Sequence, residues 1–147
     1  MTEAPSLDRK TWMATLAKAS PARLAALMPD LPPHEVLRAP EIGAVMVQGR
    51  TGATGAPFNL GEMTVTRASV RLGCGTVGHA WVQGRDKAHA RRAALADALL
   101  QTDAMPATLA AIITPLQAEA ASQAAARAAK AAGTKVDFFT LVRGDNA

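Results

Sequence analysis

The middle of the chain carries alternating apolar and polar positions, a pattern typical of β-strands with one buried face. Stretches containing glycine interrupt the alternation at 51–57 and 73–75. The pattern predicts strands at 34–38, 42–50, 62–72 and 76–83, with a short return to the sheet at 58–60. Short connections between successive strands favour an antiparallel meander of three or four strands. The stretch 42–50, IGAVMVQGR, is apolar on both faces, which predicts a central strand.

The predicted strand at 62–72 contains one irregularity. Met63 and Val65 point one way, whereas the apolar residues from Ala68 to Leu72 have the opposite parity. A β-bulge adds one residue to a strand and moves the following side chains to the other face. We therefore expect a bulge near Thr66–Arg67.

Apolar residues spaced three and four apart predict helices on both sides of the strands. In the N-terminal part, Ser6 is the predicted cap of a first helix, and Ser20 with Pro21 begins a second one. After the strands, Asp86 is the predicted cap of a helix that runs to about Gln101.

The C-terminal third is predicted to be helical and unusually rich in alanine. Pro106 opens one helix, and Thr114 followed by Pro115 has the pattern of a fresh helix start. The helix from Pro115 to Ala132 holds ten alanines and has no large apolar residue after Leu116. Alanine gives high intrinsic helicity, so this helix should form, but it has little apolar area to anchor it.

Together these elements predict one α+β domain over residues 1–147. It combines an antiparallel β-meander with N-terminal helices, C-terminal helices and a C-terminal docking strand or tail. Residues 1–5 are expected to be a loose end. The docking tail is placed at 134–147, because Phe138 and Phe139 need burial. Aromatic residues make up only 3% of the chain, so we expect a lean core and burial against a partner.

The net charge of +4 is concentrated in the centre of the chain. Between Arg50 and Arg92 there are seven basic residues and two acidic ones, which suits an anionic ligand or an acidic partner surface. Nucleic acid is not expected, because only Phe58 and Trp81 could stack on bases there. The single cysteine, Cys74, and the lack of a membrane-length apolar run favour a cytoplasmic protein without a membrane segment.

Two glycine-rich stretches resemble phosphate-binding loops. Residues 73–78 fit GxGxxG, but a strand follows them where a dinucleotide site needs a helix, so we interpret them as a hairpin turn. Residues 49–55 offer several N–H groups that could cradle a phosphate. They lack the lysine and hydroxyl of a P-loop, and an ordinary loop is the simpler interpretation.

Arg85 lies at the corner between the last strand and the following helix, where no local role requires an arginine. With Arg67 and Arg71 it is compatible with a phosphate contact, an ion pair across a subunit interface, or a solvated surface. The three histidines lack metal-ligand spacing. Cys74 and His79 flank a turn without a third orienting group. We therefore predict no catalytic residues and no metal site.

Several blocks of the chain occur in the order found in a known family. They are Trp12–Met13, Arg38–Ala39 with Glu41 and Gly43, the run from Gly52 through Arg67 to Leu72, Trp81–Lys87 with His89–Ala90, Val136–Thr140 and Val142–Ala147. These blocks resemble the PhnG family, the G subunit of the bacterial carbon–phosphorus lyase core complex. WVQGRDK and the terminal VDFF-T and VRGDNA motifs are the most specific. The alanine-rich helix and the prolines at 29–33 match least.

The resemblance implies a cytoplasmic complex with the H, I and J subunits. With the L protein, the G, H and I subunits transfer a phosphonate to C1 of the ribose of ATP and release adenine. Methylphosphonate then gives ribose 1-methylphosphonate 5-triphosphate. ATP and the phosphonate are substrates of the complex, and no cofactor is expected on this subunit. The family offers no catalytic residues to carry over to this chain.

We therefore predict an accessory subunit that packs chiefly on the I subunit. The candidate interface or ligand residues are Arg67, Arg71, Trp81, Arg85, Phe138, Phe139 and Arg143. The alternative is direct contact with the triphosphate or phosphonate through Arg67, Arg71 and Arg85.

Overall fold

The computed structural model describes residues 7–136, and the fold is given for that part of the chain. The elements are helices α1 (Arg9–Lys18) and α2 (Pro21–Leu27), strands β1 (His34–Arg50), β2 (Pro57–Leu72) and β3 (Val77–Gln83), and helix α3 (Lys87–Leu100), followed by a helical segment from Met105 to Gly133. The predicted α+β class is confirmed. Most of the predicted docking tail, from 137 onward, lies outside the described residues. No helix within 7–136 has the length and apolar character needed to cross a membrane.

The three strands form one antiparallel sheet in the order β1-β2-β3, which confirms the predicted meander. The stretches 34–38 and 42–50 are parts of the single strand β1. Because β1 lies at the edge of the sheet that the described residues form, the prediction that 42–50 is central is wrong. The segment 58–60 belongs to β2, so the predicted return to the sheet at this point is confirmed.

The predicted bulge at Thr66–Arg67 is wrong. β2 and β3 pair without a register shift from Val65 to Arg71, and the shifts lie in the β1–β2 pairing, around residues 36–41 and at 47–48. The change in parity has another cause. Thr66 occupies a buried position, and its hydroxyl donates a hydrogen bond to the carbonyl of Gly84 at 2.8 Å. A polar residue thus completes the buried face, and the strand keeps its register.

The core lies between one face of the sheet and the helices. Its buried apolar residues include Trp12, Leu16, Leu24, Ala68, Val70, Ala80, Val82, Leu95, Leu100, Ile113 and Leu116. Helix α3 lies unusually close to β3, since a Cβ added at Gly78 would be 1.9 Å from the carbonyl oxygen of Ala94. Alanines on the buried side of α3 permit this approach, which explains how a chain with few large side chains fills its core.

Helix α3 begins as predicted. The side chain of Asp86 accepts a hydrogen bond from the backbone N–H of His89 at 2.9 Å, and Gly84 turns the chain with φ of 93°. At the N-terminus, the cap of α1 is Asp8, whose side chain accepts from the N–H of Thr11 at 2.9 Å. The predicted cap Ser6 lies outside the described residues.

The C-terminal helical segment is continuous, so the predicted fresh start at Thr114 is wrong. A short helix α4 (Met105–Thr108) passes through a π-helical turn (Leu109–Ile113) into α5 (Thr114–Gly133). Pro115 has no N–H to donate and its ring crowds the preceding turn, which the wider π turn accommodates. Every residue from 120 to 136 is exposed, as expected for an alanine-rich helix without apolar anchors.

Candidate interaction surface

The face of the sheet opposite α3 carries exposed charged and aromatic side chains. We call it the open face and define it by Arg67, Ser69 and Arg71 of β2 and His79 and Trp81 of β3. Alternation along each strand places these residues opposite the buried positions of the core. The structure thus brings together three of the predicted candidates, Arg67, Arg71 and Trp81.

Ion pairs run across β1 and β2 on the open face. The strand register places Glu41 opposite Arg67 and Glu35 opposite Arg71. Glu41 accepts hydrogen bonds from Arg67 and also from Arg38, the latter at 2.9 Å, and Arg71 lies 3.1 Å from Glu35. The Arg67 guanidinium, helped by Arg38, holds the pKa of the Glu41 carboxyl below its ordinary value. These arginines therefore already have carboxylate partners within the chain.

On β3, the neighbour of β2 on the side away from β1, Trp81 lies opposite Arg67. The guanidinium carbon of Arg67 is 5.5 Å from the centroid of the indole ring, a cation–π distance. Trp81 is nevertheless 49% exposed. The open face therefore presents a large aromatic side chain that is oriented by Arg67, which is itself held by Glu41. Pre-ordered, exposed aromatic residues of this kind are typical of protein interfaces.

Shallow cavities lie on both sides of Trp81. One, of about 240 Å³, is lined by Glu41, Ile42, Gly43, Ala44, Val65 and Arg67. The other, of about 270 Å³, is lined by Arg38, Arg67, Ala68, Ser69 and His79. In the second cavity the Ser69 hydroxyl and the Nδ1 atom of His79 are 2.7 Å apart. A nucleophilic pair needs a third group to orient the histidine, and no described residue hydrogen-bonds to the other nitrogen of this ring.

Arg85 does not join the ion pairs of the open face. It lies in the corner between Gly84 and Asp86, is exposed, and forms no ion pair with any described residue. Lys87, in the first turn of α3, is also exposed and forms no ion pair with any described residue. The remaining candidates, Phe138, Phe139 and Arg143, lie outside the described residues.

The two glycine-rich stretches are turns in the structure. At 73–75 the N–H of Gly75 donates to the carbonyl of Leu72 at 2.9 Å, which closes the predicted hairpin. The hydroxyl of Thr76 lowers the pKa of the exposed Cys74 thiol. In the loop at 51–55, the guanidinium of Arg50 donates to the carbonyl of Gly55 at 3.3 Å. The described residues contain no group of three His, Cys, Asp or Glu side chains suited to a metal ion.

The sequence does not predict Glu35, Glu41 and Arg38 as functional candidates. Their place in the ion pairs depends on the β1–β2 register, which shifts twice between residues 36 and 41. Strict alternation along β1 therefore gives no reliable partner for either glutamate. The signal in the sequence for these residues is the family resemblance, part of which rests on Arg38, Ala39, Glu41 and Gly43.

Comparison with known proteins identifies a family and a relative. The family model described as phosphonate metabolism protein PhnG matches residues 7–144. The α-D-ribose 1-methylphosphonate 5-triphosphate synthase subunit PhnG of Rhizobium meliloti (strain 1021) is 44% identical over 142 residues, which cover 95% of this chain and 91% of that protein. The matched region includes the whole open face and all of the sheet.

Proposed function

The chain belongs to the PhnG family of phosphonate metabolism, and on that premise we propose that it is an accessory subunit of the carbon–phosphorus lyase core complex. The observation that carries the proposal is 44% identity, over nearly the full length of both chains, to a protein named as a synthase subunit. The complex transfers a phosphonate to C1 of the ribose of ATP and releases adenine. This chain completes the complex without supplying catalytic residues or binding a cofactor, and it acts in the cytoplasm.

The open face supports a contact role. Arg67 and Arg71 are paired with glutamates of β1, so they offer an anion less positive charge than unpaired arginines would. Trp81 is held in place by Arg67 and remains half-exposed. A partner surface can bury this ring without displacing an existing ion pair. The geometry therefore favours contact with protein over capture of a phosphate.

The proposed partners are the H, I and J subunits, chiefly the I subunit, together with the L protein. Co-expression of the affinity-tagged chain with the untagged I subunit tests the central contact. The proposal expects the two proteins to elute together in size-exclusion chromatography. A well-folded chain that elutes alone in the presence of the I subunit would contradict it.

Direct contact with the triphosphate or phosphonate through Arg67, Arg71 and Arg85 is the second candidate function. It is favoured by one observation, namely that Arg85 is exposed and forms no ion pair with the residues that the structure describes. Charge reversal in Arg85→Glu separates the two functions, with Lys10→Glu on α1 as the matched surface control. Loss of assembly supports the contact role, whereas loss of turnover in an intact complex supports the ligand role.

A further inference from the structure

The hairpin formed by β1 and β2 extends well past β3. The last residue pair between β2 and β3 joins Val65 to Gln83, and beyond it residues 44–50 and 57–64 form strand pairs only with each other within the described chain. We call these two segments the ribbon. None of its residues is buried. Two-stranded antiparallel segments are only marginally stable in water, so a ribbon of this length calls for a covering surface.

The ribbon carries an apolar surface. Phe58 and Leu60 are 44% and 66% exposed, and both lie against the bare backbone of Gly49, within 3.8 Å of where a side-chain carbon would sit. Val45, Val47 and Met63 lie on the same face and are half-buried, whereas Met46 is exposed on the opposite face of the ribbon. Single exposed apolar residues are common, but a contiguous group marks an interaction site.

Charge is almost absent from the ribbon. Arg50 and Glu62 are its only charged residues, at its tip and near its middle. Natural edge strands are usually protected by lysines, prolines or inward-pointing charges. Here the β2 edge from 58 to 63 carries a single glutamate. Such depletion of charge is typical of the core of a protein interface.

Positive charge borders the base of the ribbon. The N–H of Gly84 donates to the carbonyl of Thr64 at 2.9 Å, so the corner that carries Arg85 and Lys87 adjoins the ribbon. Neither cation has an ion-pair partner among the described residues. A partner that covers the ribbon should therefore bring carboxylates to this corner.

We propose that the ribbon docks into an apolar cleft, rimmed with carboxylates, on another subunit of the same synthase. The inference rests on the proposed function, since it names the element that makes the contact. The β1–β2 register pairs Gly49 with Phe58, Val45 with Met63 and Gly43 with Val65, so these positions follow one face of the hairpin to the cavity beside Trp81, which Gly43 and Val65 line. The ribbon and the open face thus form one interface, with Trp81 at their junction.

The β1–β2 register provides a matched pair of leucines for the test. Neither Leu60 in the ribbon nor Leu37 at the other end of β1 has a paired residue on the opposite strand, and Leu37 is also exposed, at 41%. Leu60→Asp and Leu37→Asp therefore introduce the same charge at unpaired, exposed strand positions. Phe58→Ala provides a second ribbon variant that adds no charge. Circular dichroism and thermal unfolding of each variant verify the fold.

Binding of each full-length variant to the remaining core subunits is then measured by titration. We expect Leu60→Asp and Phe58→Ala to weaken binding by roughly 30-fold or more, as for interface hot spots, and Leu37→Asp to bind like the wild type. Wild-type binding by both ribbon variants overturns the ribbon proposal and leaves the proposed function intact. Failure of the wild-type chain to bind overturns both.

Hydrogen exchange distinguishes the other possible occupants. We expect amides at 44–49 and 58–63 to exchange rapidly in the isolated chain and slowly in the complex. Protection in the isolated chain that disappears when it ends at Val136 would place its own C-terminal segment over the ribbon and overturn the proposal. An isolated wild-type dimer that Leu60→Asp converts to a monomer would assign the ribbon to a second copy and also overturn it.

Discussion

At the scale of single residues, Asp97 organises the packing of α1 on the rest of the fold. Its carboxylate is fully buried on α3 and accepts hydrogen bonds from the Trp12 indole at 2.8 Å and from the backbone N–H of His79 at 2.9 Å. It also pairs with the guanidinium of Arg9 at 2.7 Å. One side chain thus joins a helix to the edge of β3. An aspartate in an alanine-rich helix would ordinarily be assigned to the solvent side, so this role could not be predicted from the sequence.

The variant Asp97→Asn should lower the free energy of unfolding by about 3 kcal/mol, because an amide cannot accept from all of these buried donors. Urea unfolding measures the change. Asp103→Asn, at an exposed carboxylate shortly after α3, is the control and should change stability by about 0.5 kcal/mol or less. Equal effects in the two variants would contradict the assigned role of Asp97.

His89 makes the stability of the fold depend on pH. Its side chain is 1% exposed, Nε2 donates to the carbonyl of Leu16 at 2.8 Å, and burial lowers the pKa of the imidazole below its ordinary 6.5. Below about pH 6.5 the imidazole is protonated in the unfolded chain but remains neutral in the folded chain. Stability therefore falls as the pH drops from 6.5 toward the lowered pKa. Urea unfolding at pH 7.5 and 5.5 should show this loss, and His89→Gln should reduce it. An undiminished loss in the variant would contradict the assignment.

At the scale of elements, the sequence predicts those features of the fold that depend on neighbouring residues in the chain. The meander, the Asp86 cap and the turn at Gly84 follow from alternation and from turn and cap preferences. The missed features depend on non-local pairing. The position of the register shifts depends on how β1 pairs with β2, and the buried role of Thr66 depends on a carbonyl 18 residues away.

The ion pairs of the open face illustrate the same limit for the candidate site. The sequence identified Arg67, Arg71 and Trp81 as candidates, but their partners Glu41 and Glu35 come from another strand. At Thr114 the sequence carries a strong local signal for a new helix, but the structure overrides it. Ile113 and Leu116 pack into one core, and this packing keeps the helix continuous.

Helix α3 and strand β3 pack in contact because Gly78 has no side chain. We expect Gly78→Ala to lower the free energy of unfolding by about 1–3 kcal/mol or more, since the added methyl group would force α3 away from the sheet. Gly73→Ala is the matched control, because nothing lies within 4 Å of the added carbon there. Chemical denaturation of both variants tests the expectation, which fails if Gly78→Ala is as stable as the control.

At the scale of the whole molecule, the helices that build the core lie on one side of the sheet, and several surfaces remain uncovered in the described chain. These are the open face, the ribbon and the exposed length of α5 from residue 120. Scarce aromatic residues and abundant alanine limit the apolar area that the chain can bury alone. A subunit role accounts for this distribution, because the partners would complete the burial.

The most direct test of that account is adenine release from ATP and methylphosphonate, measured while purified chain is added to the other core subunits and the L protein. We expect negligible release without the chain, a rise that saturates as the chain is added, and no release by the chain alone. Full release by the other subunits without it, or release by the isolated chain, would contradict the accessory role.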